Sequence, residues 1–489
     1  MPRTAQQLRD DAQQIWWAGV RAVQPARLIP EFVSVEGQTL FIGEQEFDLH
    51  AIDRIAIVGA GKAGAGMTLA LEAVLGEKLL DEKQVFGWVN VPGDCVEPTR
   101  CVKLHAARPA GINEPRPEGA SGSAEILRLV GQLGPRDLCL CVISGGGSAL
   151  LPAPVEGFSL EAKIALTREI SARGGTIEQM NAVRRELSTI KGGGLARACG
   201  AGQLVSLILS DVLGDDLEVI ASGPTVVRQP TPELALQVLE ELQLGDLPAG
   251  HEAIGLLERR NRQEVKYTSQ GSKTPSPNPS PKNGGGGLKI GSGREVASCE
   301  VVNLLIGNNA TAVDAAGIEA ERLGYSHAMI SATASEGTAE SVAQHLVEVA
   351  KSMRDRAEGG GPDCLISGGE PVVQLSDEST RGKGGRNQQL ALAALAALKD
   401  WRGLALLSGG TDGEDGPTDA AGALVDEQIA ARATEKQLDV ADYLRRNDAY
   451  HCFQQLDGLL KTGPTGTNVC DLRVITVNKD EGGRRKDEG

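Results

Sequence analysis

The chain has 489 residues, of which 41% are hydrophobic and 23% charged, and its net charge is −16. This acidic balance argues against broad nucleic-acid binding and against docking on an anionic membrane, and the 3% aromatic content leaves few platforms for stacking single strands. Glycine, at 62 residues, is unusually frequent and predicts turns where backbone approaches a ligand closely.

The first fifty residues predict an amphipathic helix and then a short hairpin around Gly37. Leu8, Ile15, Trp16 and Val20 recur at helical spacing. The N-terminus lacks the pattern of a signal peptide, no stretch approaches 18 apolar residues, and the nine cysteines include no C-x-x-C pair. We therefore expect a cytoplasmic protein with reduced thiols and no membrane span.

Apolar strands then alternate with helices, which predicts a mainly parallel sheet covered on both faces. A strand, a glycine turn and a helix occupy 55–75, and further strands are predicted at 85–91, 138–143 and 204–210, with helices at 124–133 and 177–190. A segment rich in Pro, Ser and Gly follows, after which strands are predicted at 302–307, 328–333, 363–367 and 404–408. The predicted organisation is an α/β domain over 1–265, a flexible linker over 266–297, a smaller α/β domain over 298–477 and a disordered tail over 478–489.

Two glycine-rich turns follow predicted strands. The first, Gly59-Ala-Gly61-Lys62-Ala-Gly64, lets backbone amides approach a phosphate, and its lysine suits an anion. The second runs from Ser144 through Gly145, Gly146 and Gly147 to Ser148, and its amides and hydroxyls can form an anion-binding nest. A tight strand–helix turn and a flexible glycine loop are the structural alternatives.

Charged residues cluster at three further places. Arg184, Ser188 and Lys191 share one face of the predicted helix that contains Asn181, and either a phosphate-facing stripe or a solvated face explains them. Asp211 and Asp215 follow a strand, where either a Mg²⁺ site or an Asp-rich turn is expected.

Lys383 and Arg386 lie at the start of an Ala/Leu-rich helix, and cations at that end of the helix dipole favour a bound anion. The Asp-rich run at 411–419 lacks the spacing of a calcium loop, and the turn at 463–468 offers hydroxyls to a substrate. None of the six histidines falls in a glycine motif, so the predicted chemistry is positioning and charge neutralisation around phosphates, as phosphoryl transfer requires.

Seven strings, in chain order, resemble the glycerate 2-kinase family with a C-terminal MOFRL domain. They are IVGAGKAGAGM, VISGGGSALLPAP, MNAVRRELSTIKGGGLA, LSDVLGDDLEVIASGPT, GKGGRNQQLALA, SGGTDGEDGPTDAAGA and TGPTGTNVCDL, and they extend from about residue 55 to 475. The chain departs from the family pattern at Ala107-Arg108-Pro109, where GHP is frequent, and at Gln389, where glutamate is frequent. This resemblance implies ATP-dependent phosphorylation of D-glycerate to 2-phosphoglycerate with Mg²⁺. It also implies two α/β domains, the larger a doubly wound Rossmann-like sheet, with the active site in the cleft between them.

The resemblance also implies roles for individual residues. Lys62, Arg386 and Asp211 are the expected catalytic residues, with Asp211 and Asp215 on the metal. From the motifs themselves, phosphates are expected on Gly59, Gly61, Ser144, Gly145, Gly146, Gly147, Ser148 and Lys191, and substrate on Asn181, Arg184, Asp412, Thr465 and Asn468. Whether Asp211 is a metal ligand or the base stays open, as does assembly as a homodimer.

Two other classes of function remain as alternatives. The G-x-G-x-x-G turn suggests an NAD(P)-dependent hydroxypyruvate reductase, but Asp81 and Glu82, at the right distance to bind a ribose, precede the next strand instead of ending it. A non-catalytic metabolite-binding protein would bind the ligand without turnover.

Overall fold

The computed structural model describes residues 3–112, 114–270, 299–356 and 361–478, and for 263–270 it describes the backbone only. Most of the predicted linker, 271–297, and all but the first residue of the predicted tail lie outside the described residues. No described helix has both the length and the apolar character needed to cross a membrane.

The strands form three sheets. A small antiparallel sheet holds β1 (Val33–Glu36), β2 (Thr39–Ile42) and β3 (Gln45–Asp48), where the hairpin was predicted. A second sheet has the order β6-β5-β4-β7-β8-β9, with β4 (Ile55–Ala60), β5 (Phe86–Pro92), β6 (Val102–Arg108), β7 (Leu138–Ile143), β8 (Gln203–Leu209) and β9 (Glu300–Gly307). A third has the order β10-β11-β15-β12-β13-β14, with β10 (His327–Ile330), β11 (Cys364–Gly369), β12 (Leu404–Gly410), β13 (Gly422–Asp426), β14 (Leu459–Leu460) and β15 (Asp471–Val477).

The helices alternate with these strands. In chain order they are α1 (Ala5–Ala22), α2 (Pro25–Phe32), α3 (Gly64–Glu82), α4 (Pro117–Val130), α5 (Gly147–Leu150), α6 (Leu160–Ala172), α7 (Ile177–Glu186), α8 (Gly194–Ala198), α9 (Pro232–Glu241), α10 (Pro248–Gln270), α11 (Asn309–Arg322), α12 (Ala339–Arg354), α13 (Arg386–Ala397), α14 (Glu427–Glu435), α15 (Val440–Arg445) and α16 (Ala449–Leu456). The predicted α/β fold class with a large parallel sheet is thereby confirmed.

The large sheet is parallel from β6 to β8, and its order runs outward in both directions from β4. Every residue of β4 and β7 is buried, which explains why both strands read as continuous apolar runs. The strand order reverses between β4 and β7, and ligands of open parallel sheets bind outside the carboxyl ends of strands at such a reversal. The two predicted glycine turns follow these two strands.

The third sheet differs from its prediction. Among the described strands of this sheet, only β10 and β11 pair in parallel, whereas β15 lies antiparallel between β11 and β12. The strand predicted at 302–307 is β9, and it belongs to the large sheet beside β8 and not to the C-terminal sheet. The strands before and after the low-complexity segment therefore belong to the same sheet.

Two compact units result, and they differ from the predicted domains. The N-sheet unit comprises 32–208 and the described parts of 217–304, and the C-sheet unit comprises 209–216 and the described parts of 1–31 and 305–489. Helix α1 belongs to the C-sheet unit because its apolar face, including Ile15, Trp16 and Val20, packs with Leu472 and Val474 of β15. Periodicity shows that such a face exists, and only the fold shows which sheet it covers.

Candidate active site

The two glycine turns meet at the carboxyl edge of the large sheet. The amide of Lys62 donates to the carbonyl of Gly145 (2.9 Å), and the amide of Ala63 donates to the Ser144 hydroxyl (3.0 Å). Among the hydrogen bonds between described residues, none is donated by the amides of Gly145 or Gly146. Two amides of the predicted nest are therefore available to a ligand, whereas the Ser144 hydroxyl already accepts a hydrogen bond from the neighbouring turn.

Gly59 and Gly61 have a packing reason to be glycine. Both have φ of +149°, and a Cβ at Gly61 would lie 1.9 Å from the Ser144 Oγ. A Cβ at Gly59 would lie equally close to the Val142 carbonyl oxygen, 1.9 Å away. These glycines let β4 and β7 approach each other, and their predicted contact with phosphate stays a prediction.

Replacing Gly61 by alanine should lower the free energy of unfolding by about 3 kcal/mol, because overpacking adds to backbone strain. Thermal or urea unfolding measures the loss. Gly37→Ala is the matched control, since Gly37 also has positive φ but nothing lies within 4 Å of its Cβ position. A loss in G61A no larger than in G37A would contradict the packing role.

A chain of polar groups joins three predicted residues in the N-sheet unit. The Lys191 ammonium donates to the Ser148 carbonyl (2.8 Å) and hydroxyl (2.5 Å). The Ser148 hydroxyl lies 3.1 Å from that of Ser222, which donates to the Asn181 Oδ1 (3.2 Å). Ser222 was not predicted; it is fully buried and has φ of +64°, a strained conformation of the kind that clusters at functional sites.

The same place carries buried positive charge. Lys191 is 1% exposed, and burial, followed by the charges of Arg184 and Lys163, lowers its pKa well below the ordinary value. Burial also lowers the pKa of Arg184. Arg184 and Lys191, predicted on one helix face, thus act on one another, although the helix α7 ends at Glu186 before reaching Lys191.

In the C-sheet unit, Arg386 is held by two carboxylates that the sequence analysis did not single out. Its Nε and Nη2 donate to the two carboxylate oxygens of Asp471 (2.7 and 3.0 Å), and its Nη1 donates to Glu370 (2.7 Å). Burial alone would lower the pKa of Arg386, but Asp471 and Glu370 raise it. Asp471 begins β15, where it faces Gly369 of β11 and Gly410 of β12. Each of these two strands ends in the sequence Ser-Gly-Gly, so two glycine-rich strand ends flank Asp471.

The start of α13 does not offer a free anion site, contrary to the prediction from its glycines and cations. Asp415, fully buried, accepts hydrogen bonds from the amides of Asn387 (3.0 Å) and Gln388 (2.8 Å). The protein's own carboxylate thus occupies the positive end of this helix, and burial raises the pKa of Asp415 to about 7. Gln389, where the family often has glutamate, bonds Glu340 and the Leu444 carbonyl and has a packing role.

Asp211 and Asp215, predicted together as metal ligands, have different partners. The Asn468 amide donates to the Asp211 carboxylate (3.1 Å), which joins two predicted site residues. The Asp215 carboxylate instead accepts from the Asn308 amide (2.6 Å) and sits in a turn with φ of +56°. The structure therefore brings Asp211 to a predicted substrate residue, whereas Asp215 accepts from Asn308, the N-cap residue of α11.

The remaining two predicted substrate residues meet one another. The amide of Thr465 donates to the Asp412 carbonyl (3.2 Å), and the Thr465 hydroxyl donates to the Thr411 carbonyl (2.5 Å). The loops at 411–415 and 463–470 are thus bound together beside the start of β15. Their pairing could not be predicted from the sequence, because over fifty residues separate them.

A hard divalent cation requires oxygen ligands, and Asp211 offers a carboxylate. Burial raises the pKa of the Cys470 thiol, and the carboxylates of Glu370, Asp211 and Asp471 raise it further, so these carboxylates share one neighbourhood. In the described part of the chain, no group of three His, Cys, Asp or Glu residues is placed to hold a metal ion by itself. The donor set fits Mg²⁺ that one or two carboxylates hold together with substrate phosphates.

Comparison with known proteins shows similarity along almost the whole chain. Residues 11–254 match the family described as Domain of unknown function (DUF4147), and residues 363–471 match the MOFRL family. The chain is 35% identical to a glycerate kinase of Homo sapiens, over 96% of this chain and 93% of that protein. It is 32% identical to a glycerate 2-kinase of Pyrococcus horikoshii, over 98% and 99% of the two chains.

A solved structure is also similar to almost the whole chain. The crystal structure of glycerate kinase from Thermotoga maritima matches with a TM-score of 0.74 and 33% identity, covering 96% of this chain and 99% of that one. A relative from Agrobacterium vitis, 34% identical over 87% of this chain and 99% of its own, bears the name of a hydroxypyruvate reductase. The family resemblance carried by the seven motifs is confirmed.

Proposed function

Because the chain belongs to the glycerate kinase family, we propose that it transfers a phosphoryl group from ATP to the 2-hydroxyl of D-glycerate with the help of Mg²⁺, giving 2-phosphoglycerate. The observation that carries this proposal is the hydrogen-bonded network of Lys191, Ser148 and Asn181, in which Lys191 and Asn181 are buried, at the strand-order reversal of a parallel sheet. Anionic ligands bind at such reversals, and a cation that lacks a carboxylate partner is suited to phosphate or carboxylate.

The triphosphate is the proposed ligand of the nest. The amides of Gly145 and Gly146, the Ser148 hydroxyl and the Lys191 ammonium all belong to the N-sheet unit. Lys62 lies beside them, because its Cγ is 3.6 Å from a Cβ position at Gly146. These groups would place the γ-phosphoryl group and offset the charge that spreads over its oxygens in the transition state.

The C-sheet unit supplies the proposed carboxylates. Asp211, with Asp215 in support, would hold Mg²⁺, which when bound neutralises charge on the phosphate oxygens. Asp211 can alternatively accept the proton of the attacking 2-hydroxyl. Asn468, which donates to Asp211, and the neighbouring Asp412 and Thr465 would then orient glycerate.

Arg386 would carry the second cation of the reaction. Its side chain is 35% exposed while its donors are fixed by Asp471 and Glu370, so it presents a charge of fixed orientation. The cleft location of the site, the homodimer and the cytoplasmic location stay predictions from sequence and resemblance.

Phosphorus NMR of the products tests the proposal. Purified protein with D-glycerate, ATP and Mg²⁺ should give 2-phosphoglycerate, and omission of Mg²⁺ should abolish the signal. A 3-phosphoglycerate signal would retain the kinase and overturn the regiochemistry. Absence of any phosphorylated product, with the protein folded, would contradict the proposal.

A hydroxypyruvate reductase is the second candidate, because one relative bears that name. In the structure Asp81 and Glu82 end α3 and precede β5, so they lie at the edge of the sheet opposite the glycine turns. Asp94 directly follows β5 at the carboxyl edge and is the acidic residue that could bind a ribose there. Oxidation of NADH by hydroxypyruvate, lost in Asp94→Ala, would favour this candidate over the kinase.

A further inference from the structure

We propose that Lys163, Arg184 and Lys191 form one binding site for an oxyanion of a reactant, either a phosphate or a carboxylate. Arg184 and Lys191 would contact the anion, and Lys163 would supply a third positive charge without touching it. The proposal rests on the proposed function, because it takes the reactants to be ATP and D-glycerate. Lys163 lies in the first turns of α6, and neither a motif nor the resemblance points to it.

Lys163 is a buried cation without a partner. Its side chain is only 4% exposed, and its Nζ has no hydrogen-bond partner among the described residues. The Nε of Arg184 is buried and equally without a partner. Buried charges are ordinarily paired, since an uncompensated one loses its hydration and regains nothing.

Like charges make the cluster still less favourable while it is empty. Burial, followed by the charge of Arg184, lowers the pKa of Lys163 to about 7. Lys163 and Arg184 in turn lower the pKa of Lys191. No carboxylate of the described chain contributes to the pKa of any of the three residues.

Neighbouring arginines show the usual arrangement. Arg185 and Arg228 both pair with Glu218, at 3.4 and 3.2 Å, and Arg260 pairs with Glu186 at 3.8 Å. Helix α7 thus carries one arginine with a carboxylate partner, Arg185, next to one without, Arg184. The neighbouring arginines of the described chain thus have carboxylate partners, whereas Lys163, Arg184 and Lys191 have none there.

An anion can reach the cluster from the nest. Ser148 and Arg184 are partly exposed, whereas Lys191 lies beneath Ser148 and is bonded to its hydroxyl. An oxyanion at Ser148 would meet Lys191, which bonds that residue, and would lie near Arg184, whose charge acts on Lys191. The Nζ of Lys163 is buried, so Lys163 would attract and position the anion through its charge without contacting it.

The test replaces Lys163 by methionine, which keeps the length of the side chain and removes its charge. We expect the KM of one reactant to rise at least tenfold with a smaller change in kcat, and the Tm to stay equal or rise, because an unpaired buried charge is lost. A raised KM for ATP identifies a phosphate, and a raised KM for D-glycerate identifies a carboxylate. Both values within twofold of wild type would overturn the proposal.

Lys83→Met is the matched control. The Lys83 ammonium is partly buried but donates to the carbonyls of Leu49 (2.6 Å) and Ile52 (3.0 Å). This variant should lose thermal stability and keep both KM values. A loss of Tm in K83M without one in K163M, together with the KM values, distinguishes a site residue from a merely structural lysine.

A binding measurement covers the case in which K163M does not fold or the wild-type chain is not a kinase. Calorimetry of wild-type protein at neutral pH, with pyrophosphate alone and with D-glycerate alone, should show proton uptake as Lys163 and Lys191 become charged beside the anion. Uptake without any phosphoglycerate product would retain the anion site and refute the proposed function. Product formation without uptake for either probe would retain the function and refute the role of Lys163.

Discussion

Arg386→Ala should reduce kcat/KM at least tenfold, a loss of more than about 1.4 kcal/mol of transition-state stabilisation, and should also lower the stability of the C-sheet unit. The stability loss is expected because the variant leaves the carboxylate of Asp471 buried without Arg386. Asp471 is fully buried, and its two oxygens accept from Arg386. Removing one member of such a pair costs about 3 kcal/mol, at the low end of the usual range because Arg386 itself is partly exposed.

The double variant R386A/D471N separates the two effects. Neutralising Asp471 removes the unpaired charge, so thermal unfolding should return part of the way to the wild-type value. Activity should stay low, because the cation proposed to face the reacting groups is still absent. If kcat/KM recovered together with the Tm, Arg386 would have a structural role only.

Lys62→Ala should also lose at least tenfold in kcat/KM, with a smaller loss of Tm than Gly61→Ala, which disturbs the turn itself. The turn that holds Lys62 is fixed by its backbone, since its amide bonds the Gly145 carbonyl and the next amide bonds Ser144. Truncating the side chain leaves those bonds in place. Steady-state kinetics with both reactants and thermal unfolding measure the two quantities.

Two further variants make the result specific. Lys62→Arg keeps the positive charge and should retain more activity than K62A. Lys103→Ala removes a lysine of the neighbouring strand β6, whose ammonium lies 4.5 Å from the centre of the Trp88 ring, and should leave kcat/KM unchanged. Wild-type kinetics in K62A would remove Lys62 from the site.

Patterns that depend on near neighbours in the chain could be read from the sequence. The apolar runs of β4 and β7 and the amphipathic face of α1 follow from the burial of successive residues, and the structure contains all three. The glycine turns were also predicted, because strand, turn and helix occupy contiguous residues. The seven motifs identified the family, since their order and number make a chance match improbable.

Partners far apart in the chain could not be read in this way. Arg386 meets Asp471, 85 residues away, because β15 enters the sheet between β11 and β12. The sequence showed a cation at a helix start, and only the fold showed that Asp415 already caps that helix. The prediction that the backbone amides at the start of α13 bind an external anion was therefore wrong, because Asp415 accepts from them and no local pattern shows this contact.

The sequence by itself determined the α/β class, the glycine turns and the family, because these depend on local periodicity, steric freedom and motif order. Only the tertiary structure decided which charges are paired. Lys163 and Arg185 both read as ordinary surface cations in the sequence, yet one is buried without a carboxylate and the other is bound to Glu218. The reason is physical: the free energy of a charge depends on its burial and on the charges around it, and the fold sets both.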